Sequence, residues 1–189
     1  SKAKSIAKNL PYRDFITVGL LLSSFSGPEG ESLDDTWIYV QEPGVMVGRI
    51  QIFNNWSPFL VSDPNKYWVG LEYFCNENDK LWSMDDNQLI ILAKKELLQL
   101  SLCNSEDFID STVLREPKTY PAYFDSYDKF DNLISIFDSI ENLFLIGRNG
   151  MHKYNNQDHS MLSGFRAAEL ISKQRTSPSD KSKLWLINA

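Results

Sequence analysis

Arg148, Tyr154, Asn155, Asn156 and Gln157 bring a fixed cation, a phenol and three amides into one short stretch of chain. Arg148 is charged at any working pH, and its planar fork suits phosphate oxygens or a polarised carbonyl. The three amides each offer donors and an acceptor, and Tyr154 adds an aromatic face and a hydroxyl. The flanking residues predict how these groups are held. Leu143-Phe144-Leu145-Ile146 is an apolar run of the length of a buried strand. Gly147, Arg148, Asn149 and Gly150 break it, and His152 to Gln157 read as a polar loop. Asp158 stands where an N-cap belongs, ahead of Met161, Leu162, Phe165, Ala168 and Ile171 at roughly helical spacing. Strand, glycine turn, loop and helix in this order aim backbone N–H groups and a positive helix end at an anion. Ser163, Gly164, Ala167 and Ala168 are small enough to admit another backbone, or a long flat ligand, against that helix.

The unbroken string from Gly147 to Met161, GRNGMHKYNNQDHSM, resembles the C-terminal FAD-contacting motif of the amine-oxidase and protoporphyrinogen-oxidase-like flavoproteins. It is also similar to the corresponding segment of UDP-galactopyranose mutases, which share that architecture. The bacterial mutases are shorter and differ around Asn149-Gly150-Met151-His152, so the match to them is partial. The resemblance implies FAD contacts at Gly147, Arg148, Asn149, Gly150, Tyr154, Asn155, Asn156, Gln157, Asp158, Ser160 and Met161. Arg148 and Tyr154 would lie near flavin and substrate. Asp158 also has a sufficient role as a helix cap. Asn54, Trp56, Tyr120 and Tyr154 are the candidate substrate contacts. FAD would carry the redox chemistry, so no dedicated acid or base need appear in the sequence, and the catalytic residue and substrate stay open.

Other constellations are weaker. His152 and His159 have no cysteine or carboxylate pattern around them that would make a metal site. No Ser/His/Asp or Cys/His pair points to hydrolysis, and Asp34-Asp35 reads as a charged turn. Glu72 lies inside an otherwise apolar strand, where a paired carboxylate is favoured over a catalytic acid. Asn54-Asn55-Trp56-Ser57-Pro58 reads first as a turn with Trp56 plugging the core edge. Its alternative is a strand end presenting amide and indole groups to a cavity. The sequon Asn55-Trp56-Ser57 has no other mark of secretion beside it.

Composition sets the bounds. The 189 residues suffice for one domain with a sizeable core, and 42% hydrophobic with 13% aromatic content argues against disorder. A net charge of −6 argues against a nucleic-acid surface. Cys75 and Cys103 make no disulfide framework, suit a reducing compartment and fit a cytoplasmic protein. No apolar run approaches the ~20 residues of a membrane span, and no signal peptide opens the chain. The sequence begins at Ser1 and lacks a Gly-x-Gly-x-x-Gly fingerprint after a strand. The expectation is therefore a C-terminal part of a longer flavoprotein. Its partner would be the missing N-terminal dinucleotide-binding half, and it would retain little FAD alone.

The predicted elements are a weak helix over Ser1–Asn9 and strands over Arg13–Ser24, Thr36–Gln41, Gly48–Asn54 and Tyr67–Asn76. A helix capped by Ser83 and a strand over Phe108–Glu116 follow. Pro117–Tyr127 reads as a loop or linker, because proline cannot continue a central strand. An amphipathic helix over Asp128–Ile140 leads to the motif. The tail from Lys173 reads as frayed, with Trp185-Leu186-Ile187 docking back. The fold class is α+β: a mostly antiparallel sheet with helices, plus a C-terminal strand–loop–helix belonging to an FAD-binding lobe. The lobes are residues 1–127 for substrate, 128–172 for FAD and 173–189 as tail. The function implied is flavin-mediated hydride removal from a small molecule. The alternatives are a non-redox mutase of nucleotide sugars and an interaction module that has lost flavin.

Overall fold

The computed structural model describes residues 2–188 and is α+β. Helix α1 (Lys2–Lys8) precedes strand β1 (Tyr12–Leu22), then β2 (Trp37–Tyr39) and β3 (Arg49–Ile52). A single turn α2 (Phe53–Trp56), β4 (Tyr67–Cys75), helix α3 (Asp86–Gln99) and β5 (Phe108–Pro121) follow. The remainder is helical: α4 (Phe130–Asp138), α5 (Gly147–Gly150), α6 (Gln157–Ser172) and α7 (Pro178–Lys181), with a 3₁₀ turn over Ser182–Leu186. The five strands form one sheet in the order β2-β3-β4-β1-β5.

Two compact units divide the chain. One comprises residues 14–117, and the other residues 1–13 with 118–189. In the second unit α1 and the tail have a shared core with α4. Ile6, Phe130 and Leu133 are buried together, with Trp185 packed on them.

In the 14–117 unit, alternation along β1, β3 and β4 puts Val18, Leu20, Ile50, Val69 and Leu71 on one face. Leu89, Ala93 and Leu97 of α3 close that core at helical spacing. Truncating any of the buried leucines to Ala costs about 2–5 kcal/mol. Helix α3 starts at Asp85 rather than Ser83. Asp85 accepts from the Gln88 N–H at 2.8 Å while the Gln88 side chain accepts from the Asp85 N–H at 3.0 Å. This reciprocal box satisfies two donors; three residues after Ser83 stands Asp86, not a Glu or Gln that could close a box, and the Ser83 hydroxyl donates to Asp79 O.

The opposite sheet face carries charge. Cross-strand register sets Tyr39 beside Arg49, and Arg49 and Thr17 beside Glu72. Glu72 is fully buried, is ion-paired with Arg49 and accepts from the Gln51 amide. The Arg49 guanidinium lies 4.7 Å from the Trp37 ring centre and 5.7 Å from that of Tyr39. Glu72 is thus a paired carboxylate on an interior strand.

Three expectations are corrected. Leu143–Ile146 forms no strand: Ile146 has extended backbone angles, but no strand pairs with it and its side chain is 42% exposed. An extended run needs a ladder partner to be a strand, and the described residues supply none. Strand β5 runs on through Pro117 to Pro121, because it lies at the edge of the sheet, where a missing N–H costs no ladder bond. The tail is not frayed. Its Lys181 is buried and donates to Ile140 O and to Leu143 O (2.9 Å), and Trp185 donates to Asp138 Oδ2 at 3.1 Å. Trp185 docks as expected, whereas Leu186 stays 72% exposed.

Candidate functional site

The motif is built on a glycine in the left-handed region. Gly147 has φ +72, which an L side chain adopts only with strain, and the space where a Cβ would stand is open. Its N–H donates to the Ser163 hydroxyl at 2.9 Å, and that hydroxyl donates to Ser160 O at 2.7 Å. Ser163 is fully buried and so ties the start of α5 to the first turns of α6. Sequence reading took Ser163 only as a small residue. A bond over sixteen positions leaves no local signal.

Arg148 is held by its own loop and by the end of β5. Its Nε donates to Asn155 O at 2.9 Å and its Nη1 to Thr119 O at 3.4 Å. The guanidinium lies 5.1 Å from the Tyr120 ring centre and 4.8 Å from that of Tyr154. Those two rings stack on each other at 5.4 Å. Two of five N–H donors are therefore committed to carbonyls, which fixes the plane of the cation. Tyr154 remains 44% exposed.

The segment behind it is not a wholly polar surface loop. His152 is buried with φ +47 and packs among Tyr12, Tyr127 and Phe130. Its Nε2 lies 3.1 Å from Ala122 O, and its Nδ1 has no protein partner. Burial holds its pKa below the ordinary imidazole value. Asn155 is also buried, its amide Nδ2 3.6 Å from Met151 Sδ.

Helix α6 begins at Gln157, with Asn156 rather than Asp158 as N-cap. Asn156 makes no side-chain cap bond, so the positive end of a sixteen-residue helix is open. Asp158 sits within the first turn, where a carboxylate favours the dipole, and lies 3.3 Å from His159 Nδ1.

Arg148, Asn155, Asn156, Gln157, Ser160 and Met161 line one open cavity of about 460 Å³. Tyr154 stacks on its Arg148 edge. Asn149, Gly150 and Asp158 do not line it. Asn54 and Trp56 belong to the 14–117 unit. Asn54 donates to Lys66 O and accepts from the Trp68 N–H, so its amide locks α2 to β4. Trp56 meets Trp37 edge to face at 4.8 Å. Among the described residues no group of three His, Cys, Asp or Glu side chains could hold a metal ion. Nor, among them, is any helix long and apolar enough to cross a membrane.

The fold matches parts of two solved structures. The chain superposes on a crystal structure of reduced UDP-galactopyranose mutase with a TM-score of 0.74, at 22% identity and over 98% of its length. It also matches a protoporphyrinogen oxidase from Exiguobacterium sp. 255-15, with a TM-score of 0.51, at 15% identity and over 68% of its length. The likeness is one of fold. The chain spans 39% of the mutase and 28% of the oxidase. In sequence it is 24% identical over 120 residues to the protein raptor homolog of Dictyostelium discoideum, covering 62% of this chain and 8% of that protein. No protein-family model matches it.

Proposed function

We propose that this chain is the C-terminal part of an FAD-dependent oxidoreductase of the amine-oxidase-like group, acting on a small molecule. The observation that carries the reading is the clamped Arg148 beside the open N-terminus of α6, with the Asn156 and Gln157 side chains exposed at the same cavity. This donor set fits a planar, anionic dinucleotide. A fixed cation and free helix N–H groups suit negative oxygens, and amides suit a heteroaromatic rim. The open space over Gly147 and Gly164 leaves room for a flat group.

Arg148, Asn155, Asn156, Gln157, Ser160 and Met161 would hold FAD, with Gly147, Asn149, Gly150 and Asp158 shaping the turn and helix around it. When bound, FAD supplies the hydride-accepting chemistry. Arg148 keeps its plane through the Asn155 and Thr119 carbonyls. Tyr154, braced by Tyr120, presents a ring and hydroxyl toward substrate. The 14–117 unit, with its sheet and with Trp56, serves as the substrate lobe. A dinucleotide-binding half elsewhere in the intact protein supplies the pyrophosphate site.

A second reading is a mutase-like non-redox flavoenzyme acting on a nucleotide sugar; it draws on the extent of the structural match to the mutase and is not the better supported of the two. Oxygen consumption against UDP-galactofuranose turnover separates the two. Absorbance of the purified full-length protein tests both: a flavin band is expected. Arg148→Ala should lower FAD content at least about tenfold, the equivalent of losing one charge-assisted contact of ~1.4 kcal/mol. A colourless full-length protein, or unchanged flavin in the variant, overturns the assignment.

A further inference from the structure

A second cavity, of about 610 Å³, lies between α6 and the C-terminal segment and shares no lining residue with the motif's cavity. Leu170, Leu184 and Ile187 give it an apolar lining. Arg166, Lys173, Arg175 and Lys183 stand around it. The chain turns back to make this wall. Helix α6 ends with Gln174 in the left-handed region (φ +54), and the Arg175 N–H donates to Leu170 O at 2.8 Å. A non-glycine there costs roughly 1 kcal/mol, so the turn is held against its own preference.

Charge decides what such a cavity takes. Four cations face two carboxylates: Glu169 is shared by Arg166 (2.9 Å) and Lys173 (2.6 Å), and Asp180 pairs with Arg175 at 2.8 Å. The C-terminal dipole of α6 offsets only about another half charge. The wall stays positive by roughly 1.5 charges on this count, in a chain whose net charge is −6. Capping of the helix end alone would need fewer cations and no apolar lining. The lining runs from His159 in α6 to Lys173 at its C-cap, about 21 Å at the helical rise.

We propose that this cavity is a binding site for an amphipathic organic anion, with one acidic head at the Lys173–Arg175–Lys183 wall and an apolar body along Leu170, Leu184 and Ile187. The proposal does not rest on the flavin reading: no residue lines both cavities, although Asn188 of this one bonds to Asn155 of the motif's at 3.3 Å. Dodecanoate serves as the probe for the full-length protein, with dodecyltrimethylammonium and inorganic phosphate as controls. Calorimetry should show saturable one-to-one binding of dodecanoate, with neither control matching it. Lys173→Gln combined with Lys183→Gln should weaken binding about tenfold, and so should raising the salt. Leu186→Ser, at an exposed lip residue, should weaken binding without loss of fold. The proposal is overturned if dodecanoate does not saturate, if the cationic detergent binds equally, or if the lysine variants bind as the parent does. Binding only to anionic phospholipid vesicles, with none to free dodecanoate, would make the face a membrane-contact surface and also overturn it.

Discussion

Removing one partner of the Glu72–Arg49 pair leaves the other charge buried without its counterpart. Glu72 has no solvent exposure and Arg49 has little. Glu72→Leu or Arg49→Leu should each cost about 3–5 kcal/mol, and the double variant much less than the sum. Urea unfolding of the four proteins measures this, and strict additivity would deny the coupling. His152 makes a pH prediction. Its folded pKa lies below the ordinary value of 6.5 through burial. Above 6.5 both folded and unfolded forms are neutral, and the group does not affect stability. As pH falls below 6.5 the unfolded chain takes up the proton first, so stability should fall through that window. His152→Phe should flatten this part of the stability profile, as read by thermal melts between pH 7 and 5. An unchanged slope would show that other groups carry it.

At the scale of the element, helix termini separate two kinds of sequence signal. Ser83 and Asp85 are both credible caps for α3, and only Asp85 is followed at N3 by Gln88. Asp85→Ala should cost about 1 kcal/mol and Ser83→Ala only a few tenths; equal losses would refute the box. The start of α6 repeats the lesson, since Asn156 and not Asp158 ends the extended backbone. Strand identity is harder. Leu143–Ile146 has the composition of a strand, but pairing belongs to two segments at once. β5 shows the converse: its prolines ruled out a central position and left an edge open.

On the scale of the whole molecule, residues 1–13 and 118–189 act as one body because Ile6, Phe130, Leu133 and Trp185 share a core. Lys153 reinforces that body, its ammonium donating to Trp185 O (2.6 Å) and Ile187 O (3.2 Å). Asn188 reaches Tyr154 O at 2.8 Å. The proposed FAD contacts cover only one open cavity of this body. The 189-residue chain purified alone should therefore hold little or no flavin. A yellow preparation that bleaches on reduction would contradict that expectation.

The residues alone determined the α+β class, the docking of Trp185 and the paired character of Glu72. Each of these follows from periodicity or from the cost of burying an unmatched group, which local sequence carries. They also marked the glycine-and-amide motif as the place where a ligand would be held. Only the tertiary structure decided that Arg148 is held by the Asn155 and Thr119 carbonyls beside the stacked Tyr120 and Tyr154 rings. It likewise decided that His152 and Asn155 turn inward and that Asn54 locks a strand, and it drew the N-terminal helix and tail into the body of the motif. These depend on strand register and on contacts between distant segments, and no spacing along the chain encodes them.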